Sequence, residues 1–264
     1  MLIGIDVGGT HTDGVCIRDG QLLAQAKVPT DHDNLLATIT EALRAILKDC
    51  QGADIRTINL STTLSTNSIV TGHTEKVGMF VIPGPGINPQ AYAMGSQYHI
   101  LSGCVDHRGV VTAKARTDQI KPLATKCRED GIRVYGVVGK FCTRNPEQEL
   151  AMAEALAPQA DFITLGHRVS ESLNFGRRVS TAYYNAAVWR TFNAFADAFE
   201  QSLKDLDIQA DINIVKADGG TMPLKLAREI PVQSIFSGPA ASVMGILSTA
   251  PVAEDALILD IGGT

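Results

Sequence analysis

Two short segments combine a carboxylate, two glycines and a hydroxyl directly after an apolar run. The first is Asp6-Val7-Gly8-Gly9-Thr10, and the second is Asp260-Ile261-Gly262-Gly263-Thr264. Glycines permit positive φ and let backbone N–H groups approach an anion closely, and a threonine hydroxyl adds a donor. An aspartate at a strand end can hold a hydrated Mg²⁺ that bridges phosphate oxygens. One such segment alone could be a plain turn, but the repetition favours two phosphate loops.

This chemistry assigns a role to each residue of the two segments. Phosphoryl transfer depends on positioning and charge neutralisation rather than on a covalent nucleophile. We therefore predict Asp6, Thr10 and Asp13 as the catalytic group, with Asp6 holding Mg²⁺ through water. The residues predicted to contact the phosphates are Gly8, Gly9, Thr10, His11, Thr12, Asp260, Gly262, Gly263 and Thr264.

Hydrophobic periodicity predicts the elements that position these loops. Leu2–Val7, His11–Ile17 and Gln21–Val28 read as consecutive strands, and Asp19-Gly20 predicts a tight hairpin turn between the last two. The remaining predicted strands are 55–60, 77–82, 132–138, 161–165, 211–216 and 256–261. The predicted helices are 34–50 (capped by Asp33), 65–70, 119–130, 146–157, 176–206, 223–229 and 239–248. Residues 84–116 are predicted to be irregular, with a hairpin at Asp106–Gly109. A meander followed by this alternation predicts an α/β, ribonuclease-H-like fold with a further α/β region.

Three other polar groups are candidates for substrate contact. Thr62, Thr63 and Asn67 follow a predicted strand, although capping of the next helix explains them equally well. Asp218-Gly219-Gly220 also follows a strand, where ligands bind in open α/β sheets, but a tight turn is an equal alternative. Arg177 begins a helix and suits a carboxylate or phosphate, while a solvated helix start remains the alternative.

Composition excludes several classes of protein. The net charge of the 264 residues is −5 and no run of Lys or Arg exceeds two, which argues against a nucleic-acid or anionic-membrane surface. No apolar run is long enough for a membrane span, and the start of the chain lacks the pattern of a signal peptide. The five cysteines are dispersed, which favours free thiols and a cytoplasmic location.

The paired loops resemble those of the sugar kinase, actin and heat-shock chaperone superfamily. The small-residue segment Ser237–Ala250, SGPAASVMGILSTA, is similar to that superfamily's connecting helix. Within it, the chain resembles the hydantoinase A/5-oxoprolinase family. The segments that carry this likeness, in the family's order, are DVGGTHTD, STTLSTNSIVTG, SLNFGRRVSTAYYNAAV, ADGGTMPL and SGPAASVMG.

The resemblance implies an actin-type ATPase fold that binds ATP and Mg²⁺ and opens cyclic amides after phosphorylating the carbonyl oxygen. It also implies a hydantoinase B-type partner subunit and a homo- or hetero-oligomer. His11 departs from the phenylalanine that is usual in the family. The expected segments are a phosphate-loop subdomain (1–83), an α/β region ending in the connecting helix (84–250) and the start of a truncated second lobe (251–264). The resemblance implies that the 264-residue chain by itself would be inactive. A sugar or small-metabolite kinase and a non-catalytic ATP-binding module remain alternatives.

Overall fold

The computed structural model describes residues 1–50, 54–170, 172–250 and 255–259. The strands are β1 Leu2–Val7, β2 His11–Arg18, β3 Gln21–Pro29, β4 Thr57–Thr62, β5 Val77–Ile82, β6 Gln97–Ile100, β7 Cys104–Val105, β8 Val111–Ala113, β9 Val134–Gly139, β10 Phe162–Leu165, β11 Asp211–Val215 and β12 Thr221–Pro223. The α-helices are α1 Leu35–Leu47, α2 Leu64–Val70, α3 Ile120–Glu129, α4 Glu147–Leu156, α5 Gly166–Val169, α6 Phe175–Asp205, α7 Leu224–Ala227 and α8 Ser237–Thr249.

The chain divides into two compact units. The first unit contains Met1–Gly72 and the chain from Arg190 onward, and the second contains His73–Trp189. The first part of α6 therefore belongs to the second unit and its last part to the first. The predicted segments 1–83, 84–250 and 251–264 group the chain by the lobes of the resembling family, and that grouping stays a proposal.

The first unit is built on a six-stranded mixed sheet in the order β12-β11-β4-β1-β2-β3. Strands β1, β2 and β3 form the predicted antiparallel meander, while β4 runs parallel to β1 and β11 runs parallel to β4. Alternate residues of β1 are buried in one core with residues of α1 and the last part of α6, where Phe192, Phe195 and Phe199 are fully buried. This core fixes the strand ends that carry the first loop.

The turn between β2 and β3 shows how local chemistry sets the meander. Asp19 and Gly20 have φ values of 52° and 77°. Positive φ at both central residues is the signature of a two-residue hairpin turn, so the prediction from Asp-Gly is confirmed.

The second unit contains an all-parallel sheet in the order β10-β9-β5-β6. Strands β5 and β9 are buried along their whole length, as expected for a sheet covered by helices on both faces. The predicted hairpin near Asp106–Gly109 is formed by β7 and β8. Strand β6 lies within the stretch predicted to be irregular, so that prediction was wrong at Gln97–Ile100.

Two further predictions differ from the structure. The cap of α1 is Asn34, whose side chain accepts a hydrogen bond from the backbone of Ala37, whereas Asp33 was predicted. Residues 256–259 are not in a strand, because they have no ladder partner within the described ranges. The predicted strand's last residues lie outside those ranges.

The structure also bears on membrane and redox expectations. Within the described ranges, every helix is too short or too polar to cross a bilayer. All five cysteines are described and are free thiols.

Candidate functional site

Gly8, Gly9 and Thr10 connect β1 to β2, and we call these three residues the glycine loop. The backbone N–H of Gly8 donates to the carbonyl of His11 at 3.0 Å and closes the loop. A Cβ on Gly8 would lie 2.8 Å from that carbonyl oxygen, so only glycine fits. Neither Gly8 nor Gly9 has a positive φ, so backbone conformation does not explain why glycine is needed at Gly8. The expectation of positive φ in this loop was wrong. Glycine is needed at Gly8 because the backbone of His11 approaches it closely.

The glycine loop presents unsatisfied donors. Among the described residues, the backbone N–H groups of Gly9 and Thr10 have no hydrogen-bond partner, while both carbonyls are engaged. The Thr10 carbonyl accepts from the backbone N–H of Thr30 at 2.9 Å. Free N–H groups on a fixed loop are the usual donors to phosphate oxygens.

Two side chains that the sequence did not single out hold the loop in place. His32 Nε2 lies 2.7 Å from the Gly9 carbonyl, which can only accept, so His32 carries its proton on Nε2. Thr30 Oγ1 lies 3.0 Å from the hydroxyl of Thr12, which is fully buried. Through this contact the Thr12 hydroxyl supports the loop, and the direct phosphate contact predicted for Thr12 stays a prediction. His11 Nδ1 contacts the Thr10 hydroxyl at 3.2 Å.

Two predicted catalytic carboxylates face each other beside the loop. Asp6 on β1 pairs in register with Asp13 on β2 and with Ser61 on β4. Directly opposed residues have Cβ atoms about 4.5–5.5 Å apart and share a face of the sheet. Asp13 also forms an ion pair with Lys27 at 3.0 Å. Carboxylate oxygens are the ligands that Mg²⁺ prefers, and it keeps several waters when only one or two carboxylates bind it, so this donor set fits a hydrated Mg²⁺.

The end of β4 is tied to the end of β1. The backbone N–H and the hydroxyl of Thr63 both donate to the Val7 carbonyl, at 3.1 Å and 3.4 Å. Thr62 Oγ1 accepts from the backbone of Leu64, and Asn67 Nδ2 donates to Thr63 Oγ1 at 3.4 Å. These contacts are those expected of a helix start. Substrate contact by Thr62, Thr63 and Asn67 stays a prediction.

The start of α8 reaches the same edge of the sheet. The buried Ser237 hydroxyl lies 3.3 Å from that of Ser61, and Phe236 donates its N–H to Thr66 Oγ1 at 3.1 Å. A Cβ on Gly238 would lie 3.5 Å from Thr63. The predicted connecting helix thus begins beside the residues that anchor the glycine loop.

The segment Asp218-Gly219-Gly220 forms the turn between β11 and β12. Gly219 has φ of 80°, and Asp218 accepts from Lys216 Nζ and from the Gly220 N–H, both at 2.9 Å. These two hydrogen bonds hold the pKa of Asp218 below its usual value, and the bond from Lys216 has the larger effect. The geometry is that of a tight turn, and its predicted contact with substrate stays a prediction.

The remaining predicted residues are an arginine of the second unit and four residues outside the described ranges. Arg177 is exposed in the second unit, where its backbone N–H binds the Asn174 side chain. Its neighbour Arg178 is fully buried. Asp260, Gly262, Gly263 and Thr264 lie outside the described residues.

The described residues contain no group of three or more His, Cys, Asp or Glu side chains placed to hold a metal ion. A pair of carboxylates is sufficient for Mg²⁺, which keeps several waters and binds substrate phosphates.

Two family models match the chain. The hydantoinase/oxoprolinase N-terminal region matches residues 2–159, and the hydantoinase/oxoprolinase model matches residues 178–264. Among curated relatives, the caprolactamase subunit alpha of Pseudomonas jessenii is 26% identical over 99% of this chain. An uncharacterised protein of Methanocaldococcus jannaschii is 23% identical over 99% of it. The chain spans 42% of the length of each relative.

Solved structures show the same fold. A nucleotide-free acetone carboxylase superposes with a TM-score of 0.78 at 18% identity, covering 93% of this chain and 40% of that one. The ATP-dependent caprolactamase from Pseudomonas jessenii superposes with a TM-score of 0.75 at 24% identity, covering 100% and 42%. These likenesses confirm the predicted α/β fold. Because the N-terminal region model alone covers more than half of the residues, the chain belongs to the hydantoinase/oxoprolinase family.

Proposed function

We propose that this chain is the phosphate-binding part of an ATP-dependent hydrolase that opens cyclic amides. The family membership supports the reaction class, and a relative is named as a caprolactamase subunit. Both similar solved proteins are described as ATP-dependent, one acting on caprolactam and one carboxylating acetone.

The observation that carries the proposal is the edge of the first unit's sheet. There the free N–H groups of Gly9 and Thr10 lie beside the opposed carboxylates of Asp6 and Asp13. Backbone donors suit phosphate oxygens, and the carboxylates suit Mg²⁺, which would neutralise charge on the transferring phosphoryl group. Asp260, Gly262, Gly263 and Thr264 are proposed as the second phosphate loop.

The chemistry explains why ATP is needed. A lactam carbonyl is a poor electrophile, so phosphorylating its oxygen creates a good leaving group and an electrophilic carbon. We assign this chain the positioning of the phosphates, with Thr62, Thr63, Asn67, Arg177 and the 218–220 turn as proposed substrate contacts. A relative named as subunit alpha supports a second, hydantoinase B-type subunit and a hetero-oligomer. A cytoplasmic location remains part of the proposal.

The test uses the complete protein with hydantoin, 5-oxoproline and caprolactam as substrates. We expect phosphate release to match ring-opened product one to one. Asp6→Asn should lower kcat by about 10²–10³-fold, the usual cost of losing one electrostatic contact to the transition state. The matched control is Asp19→Asn, which removes an exposed carboxylate from the same meander at a turn position that asparagine tolerates.

Three outcomes would contradict the proposal. A stable phosphorylated product without ring opening would favour a small-metabolite kinase. ATP binding without acceleration of any of these reactions would favour a non-catalytic module. Equal turnover by Asp6→Asn and Asp19→Asn would exclude Asp6 from the site.

A further inference from the structure

The parallel sheet of the second unit has an edge of the kind at which ligands bind in open α/β sheets, formed by the carboxyl ends of its strands. From β5 the chain passes to β6 on one side and then returns to β9 on the other, so the strand order reverses between β5 and β9. Ligands favour the carboxyl ends of parallel strands at such a reversal. The carboxyl end of β9 is Gly139.

Three ionisable side chains lie near Gly139, and we call Glu149, His167 and Arg178 the Arg178 cluster. Glu149 is wholly buried, and its Oε1 accepts from the Gly139 N–H at 2.7 Å. Its Oε2 accepts from the His167 N–H at 2.9 Å and lies 2.6 Å from His167 Nδ1. A Cβ on Gly166 would lie 3.1 Å from Glu149 Oε1, so glycine leaves room for this carboxylate.

Arg178 contacts Gly139 and Glu149 through the same nitrogen, Nη1. Its Nη1 donates to the Gly139 carbonyl at 2.7 Å and lies 3.7 Å from Glu149 Oε1. Among the described residues, Nε and Nη2 have no hydrogen-bond partner although Arg178 is fully buried. Arginine and carboxylate usually form two short parallel bonds, which this pair does not.

The two nitrogens without a partner, Nε and Nη2, are the ones that could bind a carboxylate. Nε and Nη2 form the side-on edge of the guanidinium, whose two parallel N–H bonds match the two oxygens of a carboxylate. A buried charged donor that makes no hydrogen bond keeps the full cost of its removal from water, which a bound acceptor would offset. Burial lowers the pKa of Arg178, which Glu149 opposes, and burial raises the pKa of the nearby Cys142 thiol to about 12. The guanidinium therefore faces one carboxylate and a neutral thiol.

We propose that the second unit binds a small carboxylate-bearing molecule on the side-on edge of Arg178, at the carboxyl end of β9. His167 shares Glu149 with Arg178 and is the partly exposed member of the cluster. This site does not rest on the proposed ATP chemistry and would stand if that chemistry failed.

The first test measures thermal stability of the protein in acetate, inorganic phosphate and chloride at equal ionic strength. A ligand that binds only the folded protein raises Tm with its concentration. We expect acetate to raise Tm relative to chloride in the wild-type protein and in Arg128→Gln, which removes an exposed arginine from α3 of the same unit. Arg178→Lys, which retains the charge but loses the side-on edge, should bind acetate about tenfold more weakly or worse.

The second test avoids any loss of folding in the Arg178 variant. A crystal structure of the wild-type protein in acetate should show a planar carboxylate on Nε and Nη2. A water molecule alone on those atoms would overturn the proposal, as would equal acetate affinity of Arg178→Lys and wild type. Stabilisation by phosphate and not by acetate would overturn the assignment to a carboxylate.

Discussion

The glycine loop of the first unit and the Arg178 cluster of the second unit both lie at strand ends, but they hold their polar groups differently. The glycine loop is part exposed, and backbone N–H groups are its donors. The Arg178 cluster buries a guanidinium and a carboxylate completely. Backbone donors cost little to leave in water, whereas buried charges are expensive unless they are paired. We therefore expect changes in the loop to affect ligand binding most, and changes in the cluster to affect folding most.

The largest expected effect is that of Glu149→Ala. Removing this carboxylate leaves Arg178 buried without its counter-charge, which costs about 3–5 kcal/mol of unfolding free energy. Urea unfolding followed by the fluorescence of Trp189 measures this, because Trp189 is the chain's one tryptophan and stacks on Phe162 within the second unit.

The control for this prediction is Glu147→Ala on the same helix. Glu147 is exposed in the first turn of α4, so its loss should cost at most about 1 kcal/mol through the helix dipole. Equal effects of the two substitutions would show that burial of Glu149 has no energetic consequence, and the contrast between the two regions would fail.

A smaller effect is expected for Gly8→Ala. The added Cβ would lie 2.8 Å from the His11 carbonyl oxygen and force the loop to shift, at a cost of about 1–3 kcal/mol. Affinity for ATP should fall together with stability in the complete protein. Gly245→Ala is the control, since its Cβ meets nothing within 4 Å and α8 should gain up to about 1 kcal/mol. An unchanged ATP affinity in Gly8→Ala would separate the loop from nucleotide binding.

Local chemistry explains which parts of the fold were predictable. The meander, its Asp19-Gly20 turn and the long apolar helices depend on residues close in sequence, and they were predicted correctly. Strand β6 was missed because Gln97–Ile100 alternates weakly, and it is a strand only because β5 offers a ladder partner. Tertiary pairing of this kind leaves little trace in the local pattern.

The candidate sites show the same division. The glycine loop was predictable because its residues are consecutive. His32 and Thr30 were not, since they reach the loop from 20 or more residues away. Substrate contact by Arg177 stays a prediction, and the burial of Arg178 was not predictable because helical spacing alone does not say which arginine faces the interior. The partner that decides this, Gly139, lies 39 residues earlier.

The smallest expected change in stability, from Asp13→Asn, gives the sharpest test of the carboxylate pair. The Asp13–Lys27 ion pair is half exposed, so losing it should change the unfolding free energy by less than about 1 kcal/mol. Affinity for Mg²⁺ in the presence of ATP should fall, because one of two opposed carboxylates is gone. Lys27→Met removes the same ion pair but keeps the carboxylate and takes away a competing cation, so Mg²⁺ affinity should hold or rise. Mg²⁺ titration of ATP binding measures both affinities. A lower Mg²⁺ affinity in Asp13→Asn together with an equal or higher one in Lys27→Met would place the cation beside Asp6 and Asp13. A fall in both would show that the ion pair, and not the carboxylate, supports the loop.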